Sequence, residues 1–104
     1  MWHEACEVTK EETKNGDIKI IVKGHVDAIS APMLEFEIQD AVNEGYKSIS
    51  VCMTQVDYFC TIGARVLINA YNQSRAADRK FRIERPSQIV RNVLGKKRTD
   101  EMTR

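Results

Sequence analysis

Apolar and polar positions alternate through Ile18-Lys19-Ile20-Ile21-Val22-Lys23, with Ile18, Ile20 and Val22 on one side. Period two with β-branched residues predicts a strand over 18–24. Residues 4–10 also have strand character, and Asn15-Gly16 between the two runs is a turn signal. The pair reads as a β-hairpin, with Gly24 ending its second strand. After a loop, His25 to Ala31, the period changes. Leu34, Ile38, Ala41 and Val42 recur at helical spacing, with Pro32 suited to the first turn, Ser30 placed to cap it and Gly45 as the stop. Glu35, Glu37, Asp40 and Glu44 lie largely off that stripe.

A short apolar strand follows at Ser48 to Met53, and then a loop to Cys60. Residues 62–77 read as a second helix, apolar around much of its circumference and therefore deeply packed. Lys80 to Ile83 alternates again, with Phe81 and Ile83 on one face. Pro86-Ser87 opens a last helix with a stripe of Ile89, Val90, Val93 and Leu94, and Gly95 ends it. Lys96 to Arg104 reads as a basic, frayed tail. The expected order is ββαβαβα. Strands separated by helices require crossovers, so part of the sheet is parallel. Right-handed crossovers put the helices on one face, giving an α/β fold of two layers with a mixed sheet whose other face is open to water or a partner.

Composition narrows the class. The 104 residues are 42% hydrophobic and 30% charged, which suits one domain with a core at about 15–95 and no linker. No apolar run approaches the roughly 18 residues of a membrane span, and Met1 to Val8 has acids and no apolar h-region, so no secretory signal is expected. Three cysteines make no closed disulfide framework. These features point to a cytoplasmic domain. The net charge of +1 hides a split: residues 1–74 carry six Lys/Arg against eleven Asp/Glu, a net of −5, and residues 75–104 carry ten against four, a net of +6. The basic third suits nucleic acid or an acidic protein face, or is simply solvated. Its cations are not organised around aromatic stacking positions, so nucleic acid is not the expected partner.

Candidate chemistry is sparse. His3 and His25 are far apart and no Cys-x-x-Cys exists, so no metal site is expected. There is no Walker A loop and no Gly-x-Gly-x-x-Gly, so no nucleotide cradle or other cofactor is expected. Cys60 with His25 lacks the orienting third group of a hydrolase, so the chain is read as no enzyme. Attention falls on Tyr58-Phe59-Cys60-Thr61-Ile62-Gly63, which joins a buried strand to the central helix. Thr61 sits where an N-cap would sit, and a phosphate there would meet the free amides of the first turn. A plain capping threonine is the alternative. Trp2, Tyr58, Met33 and Phe36 are candidate surface aromatics and apolar residues.

The run Gly24-His25-Val26-Asp27-Ala28-Ile29-Ser30-Ala31-Pro32 resembles the Gly-x-Leu/Val-Asp-x-x-x-Ala-Pro signature of STAS domains, the family of bacterial anti-sigma factor antagonists. Ile49 to Gly63 is similar to the family's second signature, which ends in Asp-Ser-Ser/Thr-Gly. Pro86-Ser87 and Val90-Arg91-Asn92-Val93-Leu94 resemble its closing helix. The resemblance implies a partner switch. The unphosphorylated domain binds an anti-sigma factor kinase of GHKL type, and phosphorylation at the position of Thr61 breaks that complex. It also implies a switch pocket of Asp27, Cys52, Cys60, Ile62 and Gly63, and a partner-binding rim with His25, Ser30, Tyr58 and Arg65. Cys52 and Cys60 stand where the family keeps aspartates, and Ile62 where it keeps a second hydroxyl. The two cysteines are either a redox pair or small neutral residues replacing acids. Cys6 is read as unrelated. A STAS scaffold or accessory subunit of a larger complex, stressosome-like or lipid-transporting and without a phosphoswitch, is the other reading, and homodimerisation is possible.

Overall fold

The structure is a computed structural model that describes residues 6–13 and 15–104. Trp2, His3 and the first residues of the expected first strand, Glu4 and Ala5, lie outside the described residues. The elements are β1 (Glu7–Glu12), β2 (Asp17–Val26), α1 (Ala31–Asn43), β3 (Ser48–Phe59), α2 (Thr61–Ala76), β4 (Lys80–Glu84), α3 (Gln88–Leu94) and α4 (Lys96–Met102). The sheet order is β1-β2-β3-β4, with β1 antiparallel to β2 and the other pairs parallel. This is the mixed, two-layer α/β sheet anticipated from the hydrophobic pattern.

The alternation in β2 sends Ile18, Ile20 and Val22 into the core, where they meet Ile49, Val51 and Met53 of β3 and Phe81 and Ile83 of β4. Leu34, Ile38 and Ala41 of α1 and Val66, Leu67 and Ala70 of α2 cover them. The stripe of α1 therefore does what its spacing indicated. Its acids also have a use, since Lys10 of β1 reaches Glu37 at 2.9 Å and Asp40 at 3.0 Å. Burial opposes the charge on Lys10, but hydrogen bonds to these two carboxylates outweigh it and raise the pKa. The opposite sheet face is polar and partly self-paired, with Glu84 between Lys19 at 3.4 Å and Arg82 at 2.8 Å.

Four sequence readings are corrected. First, β3 does not stop at Met53 but runs on through Phe59. Between Ile21/Lys23 and again between Gly24/His25, β3 advances one residue further than β2. Two bulges result, and the buried residues of β3 change spacing from two to three, at Val56 and Phe59. Gly24 provides the left-handed backbone (φ +94°) at the second bulge, a conformation that costs glycine little. Second, residues 96–102 are a helix and not a frayed tail. Met102 and Thr99 are buried on it, so the order becomes ββαβαβαα. Third, α2 is buried along one side only, through Gly63, Ala64, Val66, Leu67, Ala70 and Ser74, and Ile62 is exposed. Fourth, Ser30 occupies the N-cap of α1 without a capping side-chain bond.

Candidate functional site

Two parallel strands, β2 and β3, end at the same rim, and each is followed by a helix. The residues singled out in the sequence mostly gather there. Ligands of open parallel sheets sit at this carboxyl end because the loops and helix starts converge on it.

Asp27 organises the first loop. Its Oδ1 accepts hydrogen bonds from the N–H of Ile29 at 3.0 Å and the N–H of Ser30 at 2.9 Å. The Ser30 hydroxyl accepts from the Asp27 N–H at 2.9 Å, and its proton is within reach of the His25 carbonyl at 2.8 Å and of Asp27 Oδ1 at 3.1 Å. The Ser30 hydroxyl is thus spent on the loop, which is why it does not cap α1. The Ser30 N–H, then its hydroxyl and the N–H of Ile29, hold the Asp27 carboxyl below the usual carboxylate range. Cys6, read as unrelated, is buried just before β1 and close enough to feel this charge. Burial and then Asp27 push its thiol pKa up, so it is an inert core residue.

The second segment begins at the bulge. Asp57 is the extra residue there, since Gly24 faces Val56 and His25 faces Tyr58. Its carboxylate lies 3.0 Å from His25 Nδ1, and the His25 ring stacks on Tyr58 with centroids 5.9 Å apart. Asp57 opens the 57–63 segment that the resemblance puts at the binding rim, and the bulge adds its pairing with His25, which the sequence alone does not show. Cys60 then tethers β3 to β2 through its N–H to the Val26 carbonyl at 3.0 Å. Cys60, not Thr61, is the N-cap of α2, and it supplies no side-chain cap. Thr61 is the first helical residue, exposed, and so are Ile62 and Arg65.

Gly63 has a packing reason. A Cβ there would lie 2.8 Å from Val26 Cγ1 and 2.9 Å from Phe59 Cε1, so only glycine lets the first turn of α2 rest on the strand ends.

Cys52 does not belong to this site. It lies mid-strand on the polar sheet face, between Ile21 and Glu84, with its Sγ 3.6 Å from Thr54 Oγ1. Eight residues of extended strand, about 26 Å, separate it from Cys60, well beyond disulfide reach. The redox pair is therefore excluded; Cys6, Cys52 and Cys60 are free thiols. Among the described residues there is no group of three His, Cys, Asp or Glu side chains able to hold a metal, and no helix is long and apolar enough to cross a membrane.

The most informative feature of the rim is apolar. Among the described residues the exposed large hydrophobic side chains are Ile29, Met33, Phe36, Tyr58 and Ile62, with Ile29 at 89% and Phe36 at 67%. Ile29 is in the β2–α1 loop, Met33 and Ile62 are in the first turns of α1 and α2, Tyr58 is next to the last residue of β3, and Phe36 is one turn further along α1. The sheet face opposite the helices exposes none.

Comparison with known proteins agrees with this architecture. No curated protein matches the sequence. Among solved structures, the anti-sigma factor antagonist SpoIIAA in its unphosphorylated form superposes with a TM-score of 0.79 at 15% identity, over 94% of this chain and 86% of that one. The phosphorylated form of the Bacillus cell fate determinant SpoIIAA gives 0.78 at 14% identity, over 94% and 89%. An anti-sigma factor antagonist from Mycobacterium paratuberculosis gives 0.62 at 22%, over 65% of this chain and 57% of that one. These likenesses establish the fold, and the family follows from the sequence model for the STAS domain, which matches residues 9–102: the chain belongs to the STAS domain family.

Proposed function

We propose that this domain is a regulatory, non-enzymatic protein-binding module whose docking face is the rim around Thr61. The observation that carries the reading is that, among the described residues, four of the five exposed large apolar side chains, Ile29, Met33, Tyr58 and Ile62, lie on the segments that meet at this end, with Phe36 one turn further along α1. The partner is an anti-sigma factor kinase of GHKL type acting in the cytoplasm, as the resemblance to anti-sigma factor antagonists suggests. Phosphorylation of Thr61 would bring a charge of about −1.5 to −2 beside the exposed Tyr58 and Ile62 and so oppose docking. The uncapped first turn of α2 favours the phosphate itself through its free amides. Incubation with the cognate kinase and ATP, followed by mass spectrometry and a binding assay, tests this. Modified Thr61 with loss of the complex is the expected result.

One observation favours a second reading. The side chains flanking Thr61 are Cys60 and Ile62, neither acidic, and the carboxylate of Asp27 is engaged by its own loop. A kinase that requires acids around its acceptor would pass this one over. The domain would then be a scaffold or accessory subunit bound constitutively through the same rim. A stoichiometric assembly in size-exclusion chromatography that is insensitive to ATP, with Thr61 unmodified, would select this reading over the switch. The same measurement reports any homodimer.

A further inference from the structure

The end of the sheet opposite the rim begins with Asp17, Ser48 and Lys80, which face one another in register across the three parallel strands. Two residues further in, Lys19, Ser50 and Arg82 repeat the arrangement. Short serines on the central strand leave a trough between the longer side chains of its neighbours. The trough is part of a cavity of about 900 Å³ that continues to Arg75, Arg79 and Arg104.

Its charges do not balance. Six cations line it, Lys19, Arg75, Arg79, Lys80, Arg82 and Arg104, against the carboxylates of Asp17, Glu84 and Glu101. Glu84 is already held by Lys19 and Arg82. Arg79 donates to the neutral carbonyl of Val42 at 2.9 Å, and Arg75 lies over the Tyr71 ring at 5.4 Å while donating to its hydroxyl at 3.1 Å. These contacts position the guanidinium groups without cancelling their charge.

We propose that this cavity is a second docking site, separate from the rim, and that its occupant is an acidic, extended segment of a partner protein. Guanidinium groups bind carboxylates through paired hydrogen bonds, and the Ser48 and Ser50 hydroxyls add donors on the floor. Lys80 and Arg82 are alternate residues of one strand, so they recur at about 6.6 Å, the spacing of alternate side chains in an extended peptide. A nucleic acid fits less well. Asp17 and Glu101 interrupt the cationic surface where a continuous phosphate backbone would run, and Arg75 already lies over one face of the Tyr71 ring.

The test is fluorescence anisotropy with a labelled peptide of alternating Glu and Ser residues. Binding is expected at low salt and falls as salt rises from about 50 to about 200 mM. The double variant Lys80→Glu, Arg104→Glu, with an unchanged circular dichroism spectrum and Tm, binds roughly tenfold more weakly. Ser50→Leu, which fills the trough without touching a charge, also weakens it. Phe36→Asp at the rim leaves it unchanged, so the result stands apart from the fate of the rim reading. No binding at low salt, equal binding by the double variant, tighter retention of a single-stranded oligonucleotide of the same net charge, or displacement of the peptide by self-association of the domain would each overturn the proposal.

Discussion

The same two strands, β2 and β3, behave differently at their two ends. At the start, Asp17 to Ile21 pairs with Ser48 to Cys52 one for one, the core side chains alternate strictly, and the solvent side is polar. At the finish, β3 carries two extra residues, burial falls every third position, and large apolar side chains are left outside. The regular end is what period two produces when nothing else is asked of it. The bulged end re-aims Asp57 and Tyr58 toward His25 and sets Gly63 against Val26, at the expense of regular pairing. Irregularity and exposed apolar surface coincide at the rim, and the proposed docking face rests on that coincidence.

Substitutions can break this comparison. The largest effect is expected at Phe59, which is buried where the bulged strand meets α2. Phe59→Ala should cost about 3–5 kcal/mol in urea unfolding, against about 0.5–1.5 kcal/mol for Ile49→Val at the regular end. Similar small costs at both sites would show the rim to be loosely packed. Met102→Ala comes next, at about 2–5 kcal/mol, because that side chain is 2% exposed on α4; an effect near zero would return residues 96–102 to a frayed tail. Gly63→Ala should cost about 1–3 kcal/mol, and less in a Val26→Ala background where the clash is relieved; strict additivity would mean the close approach is not the cause.

Smaller effects sharpen the contrast. Breaking the His25–Asp57 pair with Asp57→Ala should cost under about 1 kcal/mol, since the Asp57 side chain is 61% exposed. Asp27 adds a pH signature. Its folded pKa lies below the unfolded one, so its contribution to stability is present above the ordinary carboxylate range and is lost as pH falls through the lowered value. Asp27→Asn should flatten the stability profile in that acidic window and nowhere above it; a profile matching the parent would remove Asp27 from the loop's energetics.

Much of the fold was legible because its periods are clean. Ile18, Ile20 and Val22 announce a strand, and Leu34, Ile38 and Ala41 a helix, from spacing alone. What escaped did so for physical reasons. Val56 and Phe59 stand three apart because of the bulges, so strand β3 read as a loop past Met53. Helix α4 buries only Thr99 and Met102, too few to make a stripe among Lys96, Lys97, Arg98 and Asp100. At the candidate site, Thr61, Asp27 and Gly63 were picked out by segments that resemble the family signatures. Cys52 was misplaced because a motif gives order along the chain and not the length of the strand between its members. The pairing of Asp57 with His25 comes from the bulge geometry alone.

The contact at Gly63 has a mechanical consequence. With no space beneath the first turn of α2, the start of that helix cannot sink or tilt inward when Thr61 or Ile62 is loaded from outside. Val26 bears on the same point and leads directly into the Asp27 loop. A push delivered at Thr61 therefore meets a hard stop and is passed sideways, without slack, from one helix start to the neighbouring loop. For the docking face proposed above, this close approach means a surface with little room to yield at the start of α2.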